Sequence, residues 1–321
     1  MFSTAANHFF QNFDNELFFW FMSFITALGV SYSIIFQALL IVFGIEFRRG
    51  WLIFNFVAWT AIFTLFLKNF IDYPRPLAVD PSLRAAYMGK NTEDLTDLQP
   101  DEWFETFTPA LLEKTRVEDL PRYGFPSGHT SMQISLWLGM ALLFRSQRWL
   151  WWLGGFMVAA TMVSRLYLAH HYLGDVIGGF ILGTTLTLVL FFWGRKVGYH
   201  TEPHMDRPGL YFLLFPLVLF FVPLKFPLWQ AATLIGFNLS MFLHLKRDKV
   251  PLLCIEFWRR LITVFIIFVG YGFLFYVGND LIKTGSQFLD LLIMSAINFA
   301  VFHGAMTISY KVKCIELQSP K

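Results

Sequence analysis

The hydrophobic positions of this chain form long continuous runs that are separated by short polar breaks. Each run is close to the roughly 20 residues that a helix needs to cross a bilayer, so the pattern predicts a series of membrane-spanning helices. The predicted spans are residues 51–69, 127–144, 149–170, 176–194, 209–222, 228–244, 258–278 and 286–308.

The apolar stretch at residues 14–47 is too long for one span and too short for a comfortable hairpin of two. We predict an interfacial helix at residues 14–28 and then one span that ends near Arg48, with the bend at Gly29, Ser31 and Ser33. This span brings the predicted total to nine. The predicted fold class is therefore all-α, a polytopic transmembrane helical bundle.

The composition supports a membrane protein and argues against a soluble one. Hydrophobic residues make up 56% of the 321 positions, charged residues make up 15%, and the mean hydropathy is +0.53. A soluble domain carries about 25% charged residues. The two cysteines, Cys254 and Cys314, predict no disulfide framework. We expect membrane lipids as partners and no nucleic acid, and the oligomeric state is left open.

The basic residues predict the orientation in the membrane. Alternating the nine spans places 15 of the 25 Lys and Arg residues on one side, which the positive-inside rule identifies as cytoplasmic. The first basic residue is Arg48, which argues against a cleavable signal peptide and puts the N-terminus outside. The C-terminus is then cytoplasmic. The loop at residues 72–126 faces the periplasm or a lumen, in a cell inner membrane or an ER-type membrane.

The loop at residues 72–126 is the one long polar segment, and it holds seven prolines. Trp103, Phe104 and Phe107 add an apolar patch to a sequence that is otherwise acidic. The loop is either a lid that dips into the outer leaflet beside a site or a solvated loop packed on the ends of the spans. The sequence leaves both interpretations open.

Charged and polar residues, which are costly in a membrane, cluster at the outer ends of three predicted spans. They are Lys68 and Arg75 after residues 51–69, Ser127, Gly128 and His129 at the start of 127–144, and Arg165, His171 and Asp175 around the end of 149–170. Each alone has an ordinary structural explanation, such as a snorkelling anchor or a helix start. Because all three segments reach one face, we interpret them as a phosphate-binding site: cations and the free N–H groups of a helix start suit an anion.

His171 and Asp175 carry the clearest chemical signal. If the segment is helical, the two side chains stand at positions i and i+4 on one face, where the carboxylate can hold the imidazole in one tautomer. That arrangement is typical of an oriented nucleophile or base. It is also found as a plain structural hydrogen bond.

The three segments together resemble the signature motifs of the type 2 phosphatidic acid phosphatase (PAP2) superfamily. Six residues separate Lys68 from Arg75, five separate Arg165 from His171, and three separate His171 from Asp175, as in the family motifs. The resemblance implies that His171 is the nucleophile that forms a phosphohistidine, that Asp175 orients it, and that His129 protonates the leaving group.

The resemblance also implies a set of residues that hold the phosphoryl oxygens without a metal or another cofactor. These residues are Lys68, Arg75, Ser127, Gly128 and Arg165. The likeness covers a catalytic core at residues 51–194. It divides the chain into an N-terminal part at 1–50, this core with the loop 72–126, and a C-terminal extension of four spans at 195–321.

The substrate expected from the resemblance is a lipid phosphate monoester or pyrophosphate that is hydrolysed at the extracytoplasmic face. Three alternatives stay open. They are a sugar-phosphate phosphatase of the glucose-6-phosphatase type, a phosphotransferase on the same fold, and a non-catalytic lipid transporter. A transporter needs the cations but has no use for an oriented histidine nucleophile and an acid.

Overall fold

The computed structural model describes residues 1–13, 15–84, 93–196, 228–245, 250–253, 256–281 and 284–318. Its helices are α1 (Ala5–Gln11), α2 (Glu16–Leu28), α3 (Ser31–Leu40), α4 (Phe47–Ile71), α5 (Pro76–Val79), α6 (Pro109–Val117), α7 (Gly128–Leu143), α8 (Trp149–Tyr167), α9 (Leu173–Lys196), α10 (Leu228–Leu245), α11 (Phe257–Leu281) and α12 (Gln287–Lys311). The strands β1 (Val250–Leu253) and β2 (Ile315–Gln318) pair antiparallel. The fold is therefore all-α, as predicted, with a short two-stranded ribbon that the sequence did not indicate.

Seven of the predicted spans correspond to helices of the described residues, and the two helix ends on either side of His171 differ from the prediction. The helix predicted at 149–170 ends at Tyr167, and the helix predicted at 176–194 begins at Leu173. Asp175 is thus inside the later helix, whereas His171 lies between the two. The span predicted at 209–222 lies outside the described residues, as does Cys254.

The awkward stretch at residues 14–47 is broken into three pieces. Helix α2 ends with Gly29 as its C-cap, α3 begins at Ser31, and a π-helix occupies Ile41–Ile45 before α4 starts at Phe47. The break falls where Gly29 and Ser31 predicted it. The span expected to end near Arg48 ends at Ile45, and Arg48 itself belongs to α4.

The described residues form two compact units. One contains Met1–Ile34 and Phe63–Thr187, and the other contains Ile35–Ile62 and Leu188–Lys321. Every candidate site residue lies in the first unit. The three-part division of the chain at residues 50 and 194 remains a prediction.

In the first unit, small residues allow α9 to pack closely on α7. A Cβ atom at Gly179 would lie 2.5 Å from the carbonyl oxygen of Ser127, and one at Gly183 would meet the carbonyl of Ser131. A backbone carbonyl cannot move aside as a flexible side chain can, so these positions exclude larger residues. Thr187 on α9 also donates to Ser135 on α7, at 3.0 Å between the hydroxyl oxygens. This packing places the start of α7 beside the start of α9.

In the second unit, polar side chains link α4 and α10. Trp51 Nε1 donates to Asn238 Oδ1 at 2.9 Å, and Asn238 Nδ2 donates to Asn55 Oδ1 at 2.7 Å. All three side chains are buried. Asn238 thus forms interhelical hydrogen bonds, and such bonds satisfy polar groups that hydrocarbon would leave unpaired.

Three segments of the described part of the chain are long and apolar enough to cross a membrane: Phe47–Val79, Leu173–Lys196 and Gln287–Lys311. The chain is therefore an integral membrane protein. The count of nine spans and the sidedness of the loop at residues 72–126 remain predictions.

Candidate active site

The chain reverses sharply after α8, and this turn carries the two adjacent histidines. The backbone N–H of His170 donates to the carbonyl of Arg165 at 3.1 Å, and that of Ala169 donates to Leu166 at 3.0 Å. These are the two hydrogen bonds of a Schellman motif. Its left-handed position is occupied by Ala169, with φ of 52°, where glycine is usual and a Cβ costs about 1–2 kcal/mol. The turn, rather than a continuous helix, presents His170 and His171.

His171 and Asp175 contact each other across the start of α9. The distance from His171 Nδ1 to Asp175 Oδ2 is 3.2 Å, and the same oxygen accepts the backbone N–H of Tyr172 at 3.0 Å. Asp175 therefore caps its own helix in the manner of a capping box while it holds the imidazole. Because the carboxylate accepts, Nδ1 carries the hydrogen and the lone pair is left on Nε2. His171 is 2% exposed and Asp175 is fully buried.

Lys68 and Arg75 are held by backbone carbonyls of the segment that precedes α7. Lys68 Nζ donates to the carbonyls of Tyr123 at 2.6 Å and Gly124 at 3.2 Å. Arg75 Nε donates to the carbonyl of Arg122 at 3.0 Å. These bonds bring no counter-charge, and they orient both side chains.

Arg165, in the last turn of α8, supplies a third cation. Its side chain is 4% exposed, and Nη1 donates to Thr26 Oγ1 on α2 at 3.4 Å. Its Nε atom has no hydrogen-bond partner within the described residues. The charges of Lys68, Arg75 and Arg165 act on one another. Three like charges that act on one another are costly without an anion beside them, so this arrangement suits an anion.

The start of α7 completes the group. Ser127 is the N-cap, its N–H donates to the carbonyl of Asp175 at 2.9 Å, and its hydroxyl accepts from Thr130 at 3.1 Å. Gly128 is the first residue of α7 and faces Lys68, because a Cβ there would lie 3.8 Å from Lys68 Cε. The start of α7 therefore lies beside Lys68, and the first N–H groups of a helix suit an anion.

His129 is the second residue of α7, and its ring rests on Gly29. A Cβ at Gly29 would lie 2.9 Å from His129 Cδ2, so the break after α2 also makes room for this ring. His129 Nε2 is buried without a hydrogen-bond partner in the described part of the chain. His129 is within electrostatic range of Arg165, His170 and Lys68. A polar atom of this kind is available to a group that enters the site.

The two histidines of the turn are electrically neutral at neutral pH. Burial, and then the charges of Arg165 and Arg75, lower the pKa of His170 to about 3. Burial, and then the charges of Lys68 and Arg165, hold the pKa of His171 well below its ordinary value. A neutral His171 keeps its Nε2 lone pair, which a nucleophile requires.

The structure thus brings all eight sequence-predicted residues into one group. Sequence reasoning missed the contribution of residues 1–13, to which it assigned no element. Phe2 packs against Tyr73, Phe107 and Tyr172, and Asn7 of α1 donates to the turn that carries His171. A single asparagine in a short segment carries no recognisable signal, so no pattern could have found it.

The part of the chain that carries this site is similar in sequence to known proteins. Residues 49–199 match the model of the PAP2 superfamily, so the resemblance that the three motifs predicted is confirmed over this part of the chain. Over 62 residues the chain is 39% identical to the lipid A 4'-phosphatase of Porphyromonas gingivalis, which is 19% of this chain and 26% of the relative. Over 86 residues it is 31% identical to the undecaprenyl-diphosphatase of Sulfolobus acidocaldarius, which is 27% of this chain and 39% of the relative.

A further relative is the lipid A 4'-phosphatase of Bacteroides thetaiotaomicron, at 31% identity over 90 residues, which is 27% of this chain and 38% of the relative. The chain therefore matches well under half the length of these three relatives. The crystal structure of Aquifex aeolicus LpxE aligns with 58% of this chain and 92% of its own, at 16% identity and a TM-score of 0.44. A likeness of that size adds nothing to the sequence match.

Proposed function

We propose that this protein is a metal-independent phosphatase that removes phosphate from a lipid phosphate monoester or pyrophosphate at the extracytoplasmic face of a membrane. The observation that carries the proposal is the buried, neutral His171, oriented by Asp175 and facing three cations. Membership in the PAP2 superfamily supports the reaction class. The lipid substrates named for the three relatives support the substrate class.

In the proposed reaction, Nε2 of His171 attacks phosphorus and the bond from phosphorus to the lipid oxygen breaks. His129, which takes up a proton when the anionic substrate enters the site, delivers that proton to the departing oxygen. A water molecule then attacks the phosphohistidine, gives a proton to His129, and restores His171 with release of inorganic phosphate. Such transfers spread negative charge over the equatorial oxygens, so fixed donors supply most of the rate acceleration.

The proposed donors are those that surround the three cations. Lys68, Arg75 and Arg165 would stabilise the equatorial oxygens, together with the N–H groups and the hydroxyl at the start of α7, which belong to Gly128 and Ser127. Within the described residues no group of three or more His, Cys, Asp or Glu side chains is arranged as a metal site. The proposed steps need only these protein residues, the substrate and water.

The test is release of inorganic phosphate by the detergent-purified protein from a panel that contains phosphatidate, a polyprenyl pyrophosphate, a lipid A phosphate and glucose 6-phosphate. We expect at least one lipid to be turned over far better than glucose 6-phosphate, because remote apolar contacts help position the reacting group. Activity should survive EDTA and be inhibited by vanadate. The matched control is His171→Ala.

Other outcomes of this panel would identify the alternatives. Equal efficiency on glucose 6-phosphate and on the lipids would favour a sugar-phosphate phosphatase. Phosphate transfer only in the presence of a second alcohol would indicate a phosphotransferase. Binding of the lipids without any turnover would indicate a transporter and would refute the proposed function.

A separate prediction concerns the face of the membrane. Asp97 is exposed in the loop at residues 72–126, and Lys311 is exposed at the end of α12. In a background with Ser at positions 254 and 314, Asp97→Cys should react with a membrane-impermeant maleimide on intact cells. Lys311→Cys should react only after lysis, since positive-inside asymmetry puts it in the cytoplasm. The reverse pattern would invert the proposed topology.

A further inference from the structure

Helix α1 contacts the turn that carries His171 through one buried side chain. Asn7 is fully buried, and its Nδ2 atom donates to two backbone carbonyls, that of Leu166 at 2.9 Å and that of His171 at 3.0 Å. The orientation of the amide is determined by these contacts. The reversed amide would place an oxygen against two carbonyl oxygens, with no hydrogen between them.

The two carbonyls lie on either side of the strained part of the turn. Leu166 belongs to the last turn of α8, and His171 is the last residue but one before α9. Ala169, in the left-handed conformation, lies between them. A strained backbone conformation persists only where the surroundings hold it in place. One NH₂ group that bonds to both sides of the strained residue is such a constraint, and it acts on the backbone of His171 itself.

We propose that Asn7 is a positioning residue for the reaction of His171. The inference rests on the proposed function, because it assigns to Asn7 the task of holding the nucleophile in line with the phosphorus atom. Asp175 holds the ring of His171 at Nδ1, and Asn7 holds its main chain at the carbonyl. Together the two contacts restrain His171 at its imidazole ring and at its main chain. Among the described residues, Asn7 makes no hydrogen bond to Lys68 or Arg75. It therefore acts on the nucleophile and not on the phosphate clamp, which is the group of cations Lys68, Arg75 and Arg165.

The neighbour of Asn7 offers a matched control. His8 Nε2 contacts Asp80 Oδ2 at 2.7 Å, which fastens α1 to the segment after α5 and not to the backbone of His171. Both residues therefore attach the same short helix. Only Asn7 bonds to the backbone of His171. Replacing each in turn separates attachment of α1 in general from the restraint on the nucleophile.

The experiment is single-turnover hydrolysis of a radiolabelled lipid phosphate by purified full-length protein in saturating excess. At saturation the first-order rate constant reports the chemical step and does not depend on the fraction of inactive molecules. We expect Asn7→Ala to lower this rate constant by about 10-fold to 100-fold, since small misplacements of a reacting group have effects of that size. The enzyme concentration for half saturation should change by less than about threefold, because the clamp is intact.

Two further variants make the result decisive. Asn7→Asp has the same shape but presents a carboxylate to the two carbonyls, so it should be at least as slow as Asn7→Ala. His8→Ala should stay within about threefold of the wild type. Wild-type rate constants in both Asn7 variants would overturn the proposal, as would an equal loss in His8→Ala. A wild-type protein that hydrolyses no lipid phosphate would refute the proposed function instead, so the two failures are distinguishable.

Discussion

His171→Ala should abolish turnover, whereas His170→Ala should retain much of it. Both histidines are buried in the same turn, but only His171 contacts Asp175. Loss of a nucleophile costs about four or more orders of magnitude in the rate of the chemical step. His170 is neutral and so adds no charge to the clamp, and we expect its loss to cost about tenfold or less.

The measurement for this pair is acid-quenched and base-quenched labelling with a radioactive phosphate substrate, because phosphohistidine is labile in acid and stable in base. Label should appear in wild type and His170→Ala and be missing from His171→Ala. Asp175→Asn should be intermediate in rate, since the imidazole remains but its tautomer and orientation are less secure. Label that persists in His171→Ala and disappears in His170→Ala would show that the nucleophile has been assigned to the wrong residue.

Arg165→Lys should lower kcat/KM by about 100-fold or more, although the charge is kept. The guanidinium is almost fully buried, and its Nε has no partner among the described residues, so a planar fork of donors is available to phosphoryl oxygens. An ammonium cannot reproduce that fork. A 100-fold loss corresponds to about 2.7 kcal/mol of transition-state stabilisation. Arg165→Ala should lose more, and both variants should bind vanadate more weakly.

The control for Arg165 is Arg116→Ala, which removes a cation from an exposed pair with Asp72. We expect kcat/KM there within about threefold of wild type. Thermal unfolding tests whether Arg165 acts in function or in folding. Arg165→Ala should have a melting temperature within about 4 °C of wild type, because the loss of packing is offset by weaker repulsion between the remaining cations. A large fall in melting temperature together with unchanged vanadate affinity would make Arg165 a structural residue.

Much of the architecture follows from local sequence properties. Apolar runs of bilayer length have to satisfy their backbone groups internally, so each run in the described residues became a helix. Gly29 interrupted a helix where the sequence predicted it, since glycine favours helix ends. The family motifs also identified the residues that cluster, because each motif lies at the end of a helix.

The hydrophobic pattern did not locate the helix ends around the histidines, which short-range hydrogen bonds of the folded chain determine. The sequence from Trp149 to His170 is apolar enough to continue as a helix, and a helical reading put His171 and Asp175 on one face. The Schellman motif at Ala169 ended α8 at Tyr167. The carboxylate of Asp175 then capped the start of α9 while it contacted His171.

The role of residues 1–13 was also beyond the reach of sequence patterns. Hydrophobic periodicity reports which residues avoid water, and the motifs report which residue types suit phosphate. Neither reports which distant side chain satisfies a particular carbonyl. Asn7 donates hydrogen bonds to the carbonyls of Leu166 and His171, which are 159 and 164 residues away along the chain. Only the folded chain brings such groups together, because a buried carbonyl must find a donor wherever the packing provides one.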